Sequence, residues 1–251
     1  MNDPWFWTAP RSRPATVRLI CLPHAGGGSV VFQPWAKELP EWVEVASARL
    51  PGRESRMREP LVTDWRAIVG PLADSIAAAP SLPALAIYGH SMGAILGHEL
   101  AHALTARGIA VNVLMVSGRC APGRTNGQQL HTLPEDEFLR CLLDLYGGVP
   151  REVLEHRELM EIFLPILRAD LQLVETYRHA DRPPAPWPIV AFGGAEDHSV
   201  SRDELEEWRA LTASHFELRM FAGGHFFIQS DRAALLASVR EQLQKWCVTR
   251  P

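Results

Sequence analysis

Ser91 lies in Gly89-His90-Ser91-Met92-Gly93, a Gly-x-Ser-x-Gly pentapeptide. The apolar run Ala84 to Tyr88 leads straight into it, and a helical pattern opens at Met92, so the serine falls on a bend between strand and helix. Such a bend holds the serine in strained backbone angles and exposes its side chain. It needs small neighbours so that the chains can approach, and it places the positive end of a helix beneath any charge that develops. A hydroxyl is a weak nucleophile at neutral pH, so it requires an imidazole base, and the imidazole requires a carboxylate to fix its tautomer. Those three groups together perform acyl transfer.

The chain order expected for this bend is serine, acid, histidine. Of ten histidines, His225 in Ala222-Gly223-Gly224-His225-Phe226-Phe227 is best placed, directly after the last predicted strand, where glycines let a loop curl over the sheet edge. His24 and His90 precede the acid, and His179, His198 and His215 lack such a loop. For the acid, Gly193-Gly194-Ala195-Glu196-Asp197 follows the run Pro188 to Phe192, and Asp197 is preferred to Glu196. The strand ending at Ser117 leads into Gly118-Arg119-Cys120 and offers no competing carboxylate. Two backbone amides are needed for the oxyanion, one from Met92 and one from Ala25 in Pro23-His24-Ala25-Gly26-Gly27-Gly28. That glycine run matches neither a P-loop nor a dinucleotide fingerprint, which argues against a nucleotide site.

These residues need a scaffold that brings strand ends together. Val17 to Leu22, Val43 to Leu50, Ala84 to Tyr88, Val111 to Ser117, Pro188 to Phe192 and Phe216 to Phe221 read as strands. Asp64 to Ala78, Met92 to Ala106, Arg202 to Leu211 and Asp231 to Trp246 carry apolar residues at helical spacing. This alternation predicts an α/β fold, a mostly parallel sheet covered on both faces by helices. The stretch 122–186 breaks it, with helical patterns only, at Glu135 to Leu145 and Leu159 to Arg178. It is read as a helical lid inserted over the carboxyl edge of the sheet, where open α/β folds bind ligands. Its apolar residues Phe138, Leu142, Leu145, Leu159, Phe163 and Leu167 are the candidates to face a pocket.

At 251 residues and 47% hydrophobic, the chain is read as a single domain, 1–251, with ample core. Its net charge of -4 supplies no basic face for a phosphate backbone, so nucleic acid is not expected as a partner. No Asp, Glu, Lys or Arg occurs between Asp74 and Glu99, yet Pro80, Pro83, Gly89 and Gly93 interrupt that stretch, so no membrane partner is expected. Cys21, Cys120, Cys141 and Cys247 lie far apart among apolar neighbours, without metal-like spacing, and read as buried, reduced thiols of a cytoplasmic protein.

The chain resembles the type II thioesterases that accompany modular polyketide synthases and nonribosomal peptide synthetases. The resemblance rests on Leu22-Pro23-His24-Ala25-Gly26-Gly27-Gly28, Leu50-Pro51-Gly52-Arg53-Glu54 with Arg58-Glu59-Pro60, and Gly89-His90-Ser91-Met92-Gly93-Ala94. Downstream it includes Ser117-Gly118-Arg119, Leu164-Pro165-Ile166-Leu167-Arg168-Ala169-Asp170, Glu175-Thr176-Tyr177 and Gly223-Gly224-His225-Phe226-Phe227. It implies an α/β-hydrolase fold, and its pattern places nucleophile, acid and base on Ser91, Asp197 and His225, as position alone does. It further implies that the substrate is an acyl thioester on the phosphopantetheine arm of an acyl or peptidyl carrier protein, and that the role is editing of stalled acyl groups. No metal or cofactor is implied, the phosphopantetheine belonging to the substrate. A general carboxylesterase or lipase-like serine hydrolase is the alternative on the same fold, and a fatty-acid-releasing medium-chain acyl thioesterase the alternative within the resemblance. Carrier proteins of this kind are acidic, and Arg53, Arg56 and Arg58 are the candidate docking patch.

Overall fold

The computed structural model describes residues 3–79, 83–123, 129–146 and 156–248. Seven strands form one sheet: β1 (Phe6–Thr8), β2 (Val17–Leu22), β3 (Val43–Ala48), β4 (Ala84–His90), β5 (Val113–Ser117), β6 (Ile189–Gly194) and β7 (Phe216–Phe221). Their order is β1-β3-β2-β4-β5-β6-β7, with β1 antiparallel to β3 and every other pairing parallel. The helices are α1 (Trp35–Glu38), α2 (Arg66–Ala77), α3 (Met92–Ala106), α4 (Glu135–Tyr146), α5 (Arg157–Thr176), α6 (Arg202–Glu206), α7 (Phe227–Ser230) and α8 (Arg232–Leu243).

The central strands read as continuous apolar runs because both of their faces are covered. Along β2 the alternation is resolved into two cores: Ile20 and Leu22 join the cluster under α2 and α3, while Val17, Leu19 and Cys21 join the one under α1, α7 and α8. A third cluster, Leu130, Phe138, Leu142, Met160, Leu164, Leu167 and Leu171, is built from α4, α5 and the turn before them. The α4–α5 segment thus has an apolar centre of its own.

Strand order decides where a site can form. The chain passes from β2 outward to β3 and then back to β4 on the other side of β2, so the connections leaving β2 and β4 diverge at their carboxyl ends. Leu22 pairs with Gly89 at that end, which brings the Pro23–Gly28 loop beside Ser91. Open α/β sheets bind ligands at such a reversal.

Four expectations need correction. The strand β1 was not expected; it is three residues long and bounded by prolines at 4 and 10, too short to display a period. The helical stretch Arg202 to Leu211 is α6, capped by a Ser201–Glu204 capping box, followed by a 3-10 turn at Glu207–Leu211. The stretch Asp231 to Trp246 ends its regular helix at Leu243 and continues as a π-helical turn, Gln244–Val248. All four cysteines are free thiols, but only Cys21 is buried; Cys120, Cys141 and Cys247 are partly exposed. No helix among the described residues is long and apolar enough to cross a membrane.

Candidate active site

Ser91 has φ 55° and ψ -112°, one of two non-glycine residues with positive φ among the described residues. Its N–H donates to the Ser117 carbonyl at 2.7 Å, tying the bend to the end of β5. The two motif glycines are required by contact. A Cβ on Gly89 would fall 1.9 Å from the Gly93 carbonyl oxygen, and one on Gly93 would fall 2.0 Å from that of Leu22. The strain at the serine is therefore imposed by a strand, a helix and a neighbouring strand packed without side chains between them.

His225 and Asp197 come from the loops after β7 and β6. His225 Nδ1 lies 2.8 Å from Asp197 Oδ2, and both side chains are buried, 3% and 0% exposed. A Cβ on Gly194 would sit 2.3 Å from the Gly224 carbonyl oxygen, so the glycines let these loops close on one another. Ser199 completes the arrangement: its N–H and hydroxyl donate to Asp197 Oδ1 at 2.8 and 2.6 Å, and its Oγ lies 2.9 Å from His225 Nδ1. Burial pushes the Asp197 carboxyl up, but the His225 ring and the Ser199 donors outweigh it and hold the group below the usual aspartate value. It is a carboxylate at neutral pH.

Ser91, His225 and Ala25 line one cavity of about 480 Å³, together with His24, Phe163 and Leu167. Among the described residues the hydrogen bonds of the His225 ring go to Asp197 and Ser199, and none joins it to Ser91. Tyr146 of α4 packs on the His225 ring at 4.9 Å, and Phe226 meets it edge-on at 5.2 Å. A second cavity of about 370 Å³ shares Arg119, Tyr146, Leu171 and Val174 as its wall, and is otherwise mixed, with Ile95 and Leu130 beside Glu175, Arg178 and His179.

The loop bearing Ala25 is held from both sides. Gly26 N–H donates to Asp170 Oδ2 at 2.7 Å and Gly27 N–H donates to the His24 carbonyl at 2.9 Å. Met92 is the first residue of α3, where the N–H has no acceptor within the helix. Asp170, on α5, also receives a bidentate pair from Arg53, Nη1 to Oδ2 at 2.6 Å and Nη2 to Oδ1 at 2.7 Å, while Arg53 Nη1 donates to the Gly27 carbonyl at 2.9 Å. Arg53 is thus a buried tie between the β3 loop, the glycine loop and α5, and is removed from the expected docking patch. Arg56 is occupied by Glu59 and lies over the Trp5 ring, leaving Arg58 as the exposed member.

Of the six apolar residues expected to face a pocket, Leu142, Phe163 and Leu167 line the cavity with Ser91. Phe138 is wholly buried in the α4–α5 cluster, Leu145 packs against that cluster, and Leu159 is 45% exposed. Reading the chain did not single out Ser199, Tyr146 or the Arg53–Asp170 pair as site residues. The carboxylate and the arginine stand 117 positions apart, and only folding shows that they meet.

The family model for the thioesterase domain matches residues 17–247. The gramicidin S biosynthesis protein GrsT of Aneurinibacillus migulanus is 38% identical over 242 residues, covering 96% of this chain and 94% of its own. Thioesterase PikA5 of Streptomyces venezuelae is 35% identical over 243 residues, covering 95% and 84%. Among solved structures, the thioesterase RedJ from the prodiginine biosynthetic pathway in Streptomyces coelicolor superposes with a TM-score of 0.86 at 34% identity, covering 94% of this chain and 95% of that one. With strand order, bend and loops in place and these likenesses running along nearly its whole length, the chain belongs to the thioesterase domain family and has its α/β-hydrolase fold.

Proposed function

We propose that this chain is an editing thioesterase of polyketide or nonribosomal peptide assembly, which hydrolyses acyl groups from the phosphopantetheine arm of carrier proteins. The observation that carries the reading is the meeting of Ser91, held at positive φ, with His225, its ring fixed by Asp197, on one apolar-walled cavity. The relatives' names point the same way, since they belong to proteins of such pathways.

Ser91 Oγ attacks the thioester carbonyl as His225 takes its proton. Asp197 stabilises the imidazolium, and the amides of Ala25 and Met92 receive the oxyanion. The C–S bond breaks, and the pantetheine sulfur, a good leaving group because its thiol pKa is near ~8.5, takes the proton from His225 and departs as the thiol, which returns the imidazole to its neutral form. Water, deprotonated by His225, then releases the acid and frees Ser91. No step draws on a metal or cofactor. Residues 1–251 act as one catalytic domain, and the 122–186 insertion is its lid, with Phe163, Leu142 and Leu167 against the acyl chain.

The test compares an acyl carrier-protein thioester with an oxygen ester of the same acyl group. Faster turnover of the thioester, together with labelling of Ser91 by a fluorophosphonate, is expected. Preference for the oxygen ester would assign the chain to esterases or lipases instead.

A further inference from the structure

Two helical turns beyond Ser91 on α3, His98 is 1% exposed and neither of its ring nitrogens has a hydrogen-bond partner. A neutral imidazole has one N–H and one lone pair, and burial with both unpaired is unfavourable enough to need an explanation. One turn further, the His102 ring meets it edge-on at 4.7 Å, and the His179 ring, from the segment after α5, stands at 5.6 Å. Ligand-capable atoms of His98, Glu99 and His179 all lie within 4.8 Å of one another.

We infer that His98, Glu99 and His179, with His102 alongside, form a structural site for a divalent transition metal of the zinc class. Imidazole nitrogens plus one carboxylate are the donors such ions take, and two histidines at i, i+4 share a helix face. His98-Glu99-Leu100-Ala101-His102 has the His-Glu-x-x-His spacing, but Glu99 is not arranged as a general base. It is buried, accepting from the Tyr177 hydroxyl at 2.7 Å and from Arg182 Nη2 at 2.9 Å. Arg182 now supplies the positive charge that Glu99 Oε2 requires. Its Nη1 is unpartnered and its side chain is 28% exposed, so it can swing toward solvent as an ion takes its place, while Tyr177 keeps Oε1. The ion would fasten the helix that carries Ser91 to the chain leaving α5.

The site is read by titrating chelator-stripped, chelator-free enzyme with Zn²⁺ against a chromophoric competitor, and with Co²⁺ for its visible d–d bands. One ion per chain is expected, weakened at least ~10-fold in His179→Gln, whose partly exposed position tolerates the change. Arg182→Met should bind more tightly than wild type, and His225→Ala should bind equally, separating this cluster from the imidazoles near Ser91. Absence of stoichiometric binding in wild type would overturn the inference, as would wild-type affinity in His179→Gln or loss of binding in His225→Ala.

Discussion

Asp197 Oδ2 lies 2.8 Å from His225 Nδ1, and Ser199 holds the other carboxylate oxygen with two donors, so the fold itself orients this carboxylate toward the imidazole. Neighbouring Glu196 is exposed and has no such partners. Asp197→Asn should leave the fold intact and reduce kcat on the order of 10⁴-fold, because an amide stabilises the wrong tautomer. Glu196→Gln should change it little. Steady-state kinetics on an acyl thioester with both variants decides the assignment, and the reverse pattern would move the acid to Glu196.

Ser199→Ala should cost about one order of magnitude in kcat, the worth of a hydrogen bond to a charged group. Because Ser199 donates twice to Asp197 Oδ1 and so orients the carboxylate behind His225, the loss should fall on kcat with KM little changed. An unchanged kcat would make Ser199 a packing residue.

How far the chain alone revealed this site follows from the kind of information each part needs. The bend at Ser91 and the glycine loops at His225 and Asp197 are local, fixed by close approach between neighbouring segments, and their residues advertise it. Strands β2 and β7 and helix α3 agree with the sequence pattern to the residue, because buried runs between glycine and proline boundaries leave few choices. Strand β1 exists only because β3 offers it an edge, Phe6 against Ala48, and three residues carry no period. The Arg53–Asp170 pair is invisible for a similar reason: arginines in loops are ordinarily solvated, and nothing local says that this one is buried.

That pair yields a stability prediction. Arg53 and Asp170 are 7% and 1% exposed, and removing one partner strands the other's charge in the interior. Asp170→Ala should destabilise the fold by about 3–5 kcal/mol, lowering Tm by roughly 10 °C for a chain of this size. Arg53→Met combined with Asp170→Leu should recover part of the loss. Calorimetry of the three variants checks it, and equal Tm in Asp170→Ala and wild type would refute the tie.

Stability should also fall on mild acidification through His90. Burial, with the nearby His225 and His24 imidazoles adding to it, lowers the His90 pKa well below the ordinary histidine value. Between that lowered value and pH ~6.5 the unfolded chain binds a proton that the folded chain refuses, so stability is level above ~6.5 and drops as pH falls below it. One such group contributes up to about 1.4 kcal/mol per pH unit. Asp197, with its folded pKa depressed, is charged in both states over this window and adds no slope there. Tm measured at pH 7.5 and 5.5 should fall less in His90→Gln than in wild type; identical slopes would exclude His90 as the source.

The cavity wall should set acyl-chain preference. A Cβ on Gly26 would fall 2.9 Å from the Phe163 ring, so the glycine loop and α5 already touch at the cavity. Phe163→Ala should raise turnover of long acyl chains relative to short ones while leaving fluorophosphonate labelling of Ser91 unchanged, since the ring shapes the pocket and supplies no chemistry. An equal change for all chain lengths would place selectivity elsewhere.

The central claim is that Ser91 takes an acyl group from a carrier-bound thioester, and intact-mass spectrometry of an acyl carrier protein tests it most directly. Incubated with the wild-type chain, the carrier should lose its acyl mass and return to the free pantetheine form, whereas with Ser91→Ala it should stay acylated, turnover being lower by roughly 10⁴-fold or more. A carrier that keeps its acyl group with wild type, across a panel of acyl chains, would contradict the account, as would deacylation by Ser91→Ala at even a tenth of the wild-type rate.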